Sequence, residues 1–255
     1  MNIWYYNSSY KTQADDKLTR IIFAQNTVMA VNEAAYKGIV DALAPAGVTL
    51  VAVSKIKPAA DIQALYDLGQ RDFGENYVQE VMEKQAVLPA DVRWHFIGHL
   101  QSNKVKYIAP FVHLIHGIDS EKLLAEVNKQ AKKNNRVIDC LLQVHIAREE
   151  TKFGLDATEL DALLQKVVTE QAQWANIRIC GLMGMASFSE DNEQVRSEFA
   201  FIHGLFKQHQ PVTAPNCTLS TLSMGMSGDY KMAIEEGSTM VRIGSLLFGR
   251  RDYQK

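Results

Sequence analysis

The chain has 255 residues, 47% of them hydrophobic and 22% charged, with 27 Lys plus Arg against 29 Asp plus Glu. The resulting net charge of −2 carries no polycationic footprint, so nucleic acid is excluded as an expected partner, and the composition excludes a disordered chain. No apolar run approaches the roughly 18 residues of a membrane span.

Residues 1–16 are polar and aromatic and lack the apolar stretch of a secretion signal; they are expected to form a poorly ordered extension. Residues 17–43 have the apolar spacing of a long amphipathic helix. After it, short β-branched runs alternate with helical patterns. Strands are predicted at 48–54, 71–73, 92–97, 112–118, 137–146, 177–186, 217–223 and 240–244. Helices are predicted at 59–68, 77–86, 101–108, 121–133, 157–173, 192–208 and 230–236. Pro58 and Gly69 bracket one helix, Asp119 or Ser120 can cap 121–133, and Gly237 follows 230–236 at C′.

Strands such as Leu50-Val51-Ala52-Val53 are apolar on both faces, the pattern of a parallel sheet covered by helices. Eight strands, each but the last leading into a helix, are the count of an α/β fold of the (β/α)8 TIM-barrel type. The expected organisation is one barrel domain over 17–255 with an extra N-terminal helix. A doubly wound sheet competes, but the first strand ends in Ser54-Lys55-Ile56-Lys57-Pro58, without the Gly-rich turn that topology uses. Cys140, Cys180 and Cys217 are far apart, with no Cys-x-x-Cys, and read as core residues in a reducing, cytoplasmic compartment.

In a barrel, function gathers where strands end. Strand alternation places Val51, Val53 and Lys55 on one side. An ammonium at an apolar mouth either snorkels to water or, desolvated, becomes a nucleophile toward carbonyls. Ser223-Met224-Gly225-Met226-Ser227-Gly228-Asp229 and Val241-Arg242-Ile243-Gly244-Ser245 end the seventh and eighth strands. Either loop alone is a common Gly-Ser turn, but their joint place, at the usual barrel position for it, predicts a phosphate cradle. Arg242 shares a strand face with Met240 and Gly244. It is a permanent donor toward a ligand, or else a buried partner of Glu235, Glu236 or Asp229. Asn76, in Phe73-Gly74-Glu75-Asn76-Tyr77, suits a ligand hydroxyl or an N-cap equally. His99 is placed at the barrel mouth. The pairs His95/His99 and His113/His116 lack a third ligand at metal spacing, so no metal site is expected.

A strand-end lysine, a phosphate cradle and an inward arginine together match the shape of pyridoxal 5′-phosphate (PLP). Its aldehyde would meet Lys55, its phosphate the loops and its pyridine nitrogen Arg242. A Schiff-base sugar aldolase is the rival, but such enzymes more often carry the lysine on a middle strand.

The blocks Ala52-Val53-Ser54-Lys55, Phe73-Gly74-Glu75-Asn76-Tyr77-Val78-Gln79-Glu80, Trp94-His95-Phe96-Ile97-Gly98-His99-Leu100-Gln101-Ser102-Asn103-Lys104, Leu222-Ser223-Met224-Gly225-Met226-Ser227 and Gly237-Ser238-Thr239-Met240-Val241-Arg242-Ile243-Gly244 resemble the pyridoxal-phosphate homeostasis proteins (the YggS/PROSC family). The likeness runs from about Val48 to the C-terminus. It implies a barrel like the N-terminal domain of alanine racemase, with PLP held as an aldimine on Lys55. It further implies phosphate contacts from Ser227, Gly244 and Ser245, pyridine contact from Arg242, and Asn76, His99 and Met226 beside the cofactor. His145 and Met183-Gly184-Met185 depart from the family pattern.

Racemisation needs two bases. In alanine racemases the second comes from a partner's second domain, for which this chain has no residues left. The expected function is therefore a non-catalytic PLP carrier in vitamin B6 homeostasis that hands cofactor to apo-enzymes, monomeric, with no membrane or nucleic-acid partner. The alternative is a slow amino-acid racemase using Lys55 and a histidine such as His99.

Overall fold

The computed structural model describes residues 31–147 and 153–249. Six parallel strands come first: β1 (Thr49–Val53), β2 (Asp72–Glu75), β3 (Arg93–Phe96), β4 (Leu114–Ile118), β5 (Ile138–Gln143) and β6 (Ile177–Met183). A two-residue strand β7 (Thr213–Ala214) then folds back antiparallel on the start of β8 (Cys217–Met226), and β9 (Met240–Ile243) follows. β6 pairs with β8, β8 with β9, and β9 returns to β1 through Thr49↔Met240 and Val51↔Arg242. The eight long strands thus close into a parallel barrel, as the element count predicts.

Around it lie α1 (Glu33–Leu43), α2 (Ala59–Asp67), α3 (Val78–Gln85), α4 (Val105–Ile108), α5 (Glu121–Lys133), α6 (Ala157–Thr169), α7 (Asn192–His209), α8 (Tyr230–Glu235) and α9 (Ser245–Phe248). Their starts are written in the sequence. Asp156 and Glu159 form a capping box on α6, Ser120 accepts from Leu123 N on α5, and Asp191 accepts from Glu193 N and Gln194 N on α7. Gly69 and Gly237 follow α2 and α8 with φ of +106° and +94°, the left-handed C′ geometry. No helix among the described residues is long and apolar enough to cross a membrane.

Most of the core lies between barrel wall and helices, where β1 is buried on both faces. A second, smaller cluster of Val51, Leu114, Leu141, Met183 and Met240 fills the barrel interior. Inward residues therefore alternate along β1 and β9 as their patterns predict, which sets the side chains at the strand ends.

Some boundaries differ. The first helix is seen from Glu33, with Asn32 capping Ala35 N; residues 17–30 lie outside the described residues, as do the extension 1–16 and the Thr151-Lys152 loop. The 101–108 segment begins as a 3₁₀ turn over Ser102–Lys104, because Gln101 offers no side-chain cap. The 157–173 helix stops at Thr169, whose Oγ1 bonds back to Gln165 O and Lys166 O and so competes with the ladder. β8 runs on to Met226, and β7 carried no strand pattern of its own.

Candidate functional site

Lys55 is half-buried in the turn that leaves β1, two residues beyond Val53. The next residue, Ile56, takes φ +65°, a conformation a β-branched side chain seldom adopts. Its N–H donates to Glu80 Oε2 at 2.8 Å and Lys57 N–H donates to Ser54 O at 3.0 Å, which closes the turn. Beneath it Lys84 Nζ donates to Ser54 O, Glu75 Oε1 and Glu80 Oε2 at 2.9, 2.7 and 2.9 Å. Ser54 Oγ donates to the same Glu75 oxygen at 2.6 Å. Glu75 is fully buried, and its Oε2 has no hydrogen-bond partner among the described residues. Burial pushes the Glu75 carboxyl above the usual carboxylate range against the pull of Lys84.

At the opposite strands, Gly225 turns the chain with φ +93°, and a Cβ there would lie 2.6 Å from Ala233 Cβ. The Asp229 carboxylate accepts from Met226 N–H and holds the loop. Ser227 Oγ accepts from Gly244 N at 3.2 Å, so its own hydroxyl proton remains to be given.

Arg242 is 4% exposed and points inward from β9. Its Nη1 donates to Ser223 O at 2.8 Å and Ser223 Oγ at 2.7 Å, and its Nη2 to Gly184 O at 3.0 Å. That leaves two of its five N–H groups without a partner among the described residues. The carboxylate-pair alternative is not what is found. Glu235 and Glu236 pair with Arg196 instead, and Asp229 acts on Arg242 only at a distance. Burial lowers the guanidinium to about 10, opposed by Asp229, which still leaves it charged at neutral pH.

One cavity of about 580 Å³ is bordered by Lys55, Asn76, Met226, Ser227, Arg242, Gly244 and Ser245 together. That is within the common range for small-molecule sites. Asn76 does not cap α3, whose cap position is Tyr77 with no side-chain bond. Its Oδ1 is buried without a partner among the described residues. Gly98 allows this placement, since a Cβ there would stand 2.5 Å from Asn76 O. An amine, a permanent cationic donor, a hydroxyl and backbone cradle and an orphaned amide oxygen thus surround one space. They suit a ligand that carries a carbonyl, a ring acceptor and an anion.

His99 is not brought into that space. It borders an adjoining cavity of about 500 Å³, which shares Asn76 with the first. Its Nδ1 lies 3.2 Å from Asp119 Oδ2 and its ring stacks on Phe153 at 4.1 Å. Of the departures from the family pattern, Met183 packs in the barrel interior, Met185 borders the larger of these two cavities, and His145 is half-buried with its N–H on Leu155 O. The histidines regroup across strands. Asp72, His95 and His113 bring ligand-type atoms within 4.8 Å of one another, but both Asp72 oxygens already accept from Arg93. Sequence reading did not single out Ser223, Glu75 or Lys84. Their one signal is polarity at positions that the strand and helix periods turn toward the interior.

Residues 33–252 match the family described as alanine racemase, N-terminal domain. The pyridoxal phosphate homeostasis protein of Aquifex aeolicus (strain VF5) is 42% identical over 205 residues, 80% of this chain and 87% of that protein. Its counterpart in Escherichia coli (strain K12) is 39% identical over 215 residues, 83% and 89% of the two chains. The solved structure of PipY from Synechococcus elongatus PCC7942 with PLP bound aligns with a TM-score of 0.70 at 37% identity, over 80% of this chain and 93% of that one.

Proposed function

The chain belongs to the pyridoxal phosphate homeostasis proteins, built on the alanine racemase N-terminal domain, and we propose that it binds PLP at the barrel mouth and serves vitamin B6 homeostasis as a carrier. The observation that carries this reading is the single cavity shared by Lys55, Arg242 and the Ser227–Gly244–Ser245 cradle. Lys55 supplies the amine for a Schiff base with the aldehyde, releasing water. Ser227, Gly244 and Ser245 hold the phosphate, and Arg242 donates to the pyridine nitrogen. Asn76 and Met226 line the remaining wall.

Arg242 also supports carriage over catalysis. When bound, PLP supplies an electron sink, and that sink is weak if its ring nitrogen accepts a hydrogen bond instead of carrying a proton. Barrels that racemise amino acids need a second base, and His99 is turned to Asp119 at the adjoining cavity. In this reading the protein is a cytoplasmic monomer that keeps reactive aldehyde low and passes it to apo-enzymes.

The test is hydride trapping followed by peptide mapping. Wild type loaded with PLP should carry one borohydride-stable label on the peptide containing Lys55, and Lys55→Ala should lose both label and visible absorption. A label on another peptide, or none, overturns the assignment. Transfer is tested separately, by whether loaded protein reactivates a PLP-dependent apo-enzyme faster than free PLP at equal concentration.

A further inference from the structure

The barrel interior carries a line of polar side chains that the ligand cavity does not account for. Asp72 Oδ1 lies 2.9 Å from His95 Nε2, and His95 Nδ1 lies 2.9 Å from His116 Nε2. His116 Nδ1 is 3.2 Å from Ser223 Oγ, which accepts from Arg242 Nη1 at 2.7 Å. His95, His116 and Ser223 are 1%, 0% and 0% exposed, so water does not interrupt the line. Its lower end borders a third cavity of about 720 Å³, at the amino ends of the strands. Its upper end is the guanidinium in the ligand cavity.

Accounting for each proton orders the whole line. Burial would raise the Asp72 carboxyl, but hydrogen bonds from Arg93 and His95, with the Arg93 charge, hold it well below the usual carboxylate range, so it only accepts. His95 Nε2 therefore carries a proton. Burial above all, with the Arg242 guanidinium nearby, drives His116 well below the usual histidine range, so that ring is neutral. Were His95 Nδ1 also protonated, His116 would have to donate to Ser223, which already accepts from Arg242. The Ser223 proton would then have no acceptor among the described residues. With both rings neutral and protonated at Nε2, every donor finds an acceptor, and the bonds run one way from Arg242 to Asp72.

We propose that Asp72, His95, His116 and Ser223 are positioning residues for Arg242: a one-way hydrogen-bond chain that ties the guanidinium to a carboxylate at the far end of the barrel and keeps its free N–H groups on the ligand. The proposal rests on Arg242 as the residue facing the pyridine nitrogen. It explains why a buried arginine needs no adjacent carboxylate. The charges facing the two rings are Asp72, Arg93 and Arg242, with the His113 ring 5.4 Å from His95. Chained neutral groups polarise one another, so a distant carboxylate still acts on the donor.

The test has an arm without cofactor and an arm with it. In the apoprotein, ¹⁵N spectra of His95 and His116 should show neutral rings protonated at Nε2. Ser223→Ala should speed hydrogen exchange at the Arg242 guanidinium about tenfold and mix the His116 tautomers. An Nδ1-protonated or charged ring, or unchanged exchange, overturns the chain. With PLP, Ser223→Ala and His116→Leu should each weaken binding about tenfold, or about 1.4 kcal/mol, and shift the absorption of the bound cofactor, with the hydride-trapped label still on Lys55. Intact fold, affinity and spectrum in both variants would refute the positioning role. If wild type takes up no PLP, the carrier reading fails, and the apoprotein arm decides the chain alone.

Discussion

Lys84 Nζ lies 2.7 Å from Glu75 Oε1, with side chains 9% and 0% exposed, beneath the turn that carries Lys55. Removing one member of a buried pair strands the other charge, at a cost of about 3–5 kcal/mol. Glu75→Ala strands an ammonium that is left with Glu80 and one carbonyl. Lys84→Met strands a carboxyl already pushed toward its neutral form, which can take up a proton instead. Urea denaturation should therefore rank Glu75→Ala as the more damaging. The reverse order would mean that Lys84 is held by Glu80 and that Glu75 adds little.

The cradle at Ser227 and Ser245 is assigned to the anion alone. Ser227→Ala and Ser245→Ala should each weaken PLP binding several-fold to tenfold, the scale of a hydrogen bond to a charged group. Neither should change the affinity for pyridoxal, which has the aldehyde and the ring but no phosphate. Fluorescence titration with both ligands checks this, and equal losses for the two would remove the serines from the phosphate site.

Asp72 sets an acid limit on the fold. Its carboxyl is held below its ordinary value of 3.8 in the folded state. The stability it contributes is therefore present above that value and is lost as pH falls below it. The stability gap between wild type and Asp72→Asn should be constant from pH 8 to about 5 and narrow below about 4. Urea midpoints stepped through that range measure it, and a gap that widens in acid would contradict the pairing with Arg93 and His95.

Carrier and racemase are separated by turnover. Loaded protein incubated with L-alanine and other amino acids should show no inversion by chiral chromatography at ordinary enzyme rates, about 1 per second or above. Inversion at such rates would identify a second base near the cavity and displace the carrier reading.

The barrel was legible because its signals are local. Two-sided apolar strands, 3.6-residue periods and capping residues such as Asp156 and Ser120 each act within a few positions. The alternation of Val51, Val53 and Lys55, and of Met240, Arg242 and Gly244, placed the cavity wall for the same reason. His95 and His116 were misleading because spacing along the chain was the wrong measure. They meet across neighbouring strands, and only the register that sets His95 opposite Leu114 reveals it. His99 lies beyond the carboxyl end of β3 as its loop suggested, but its place in the adjoining cavity is set by contacts with Asp119 and Phe153, which lie in segments distant in sequence.

Ile56 gives up local comfort for aim. A branched side chain with φ of +65° sits about 1–3 kcal/mol above relaxed backbone, and the bond to Glu80 is what keeps it there. Glycine at this position should consequently harden the protein against heat while blunting its grip on the aldehyde, two changes of opposite sign from one missing side chain. In the proposed carrier, a bend built this way is a cocked spring behind the Lys55 nitrogen, with its tension serving the docking of the vitamin more than the barrel.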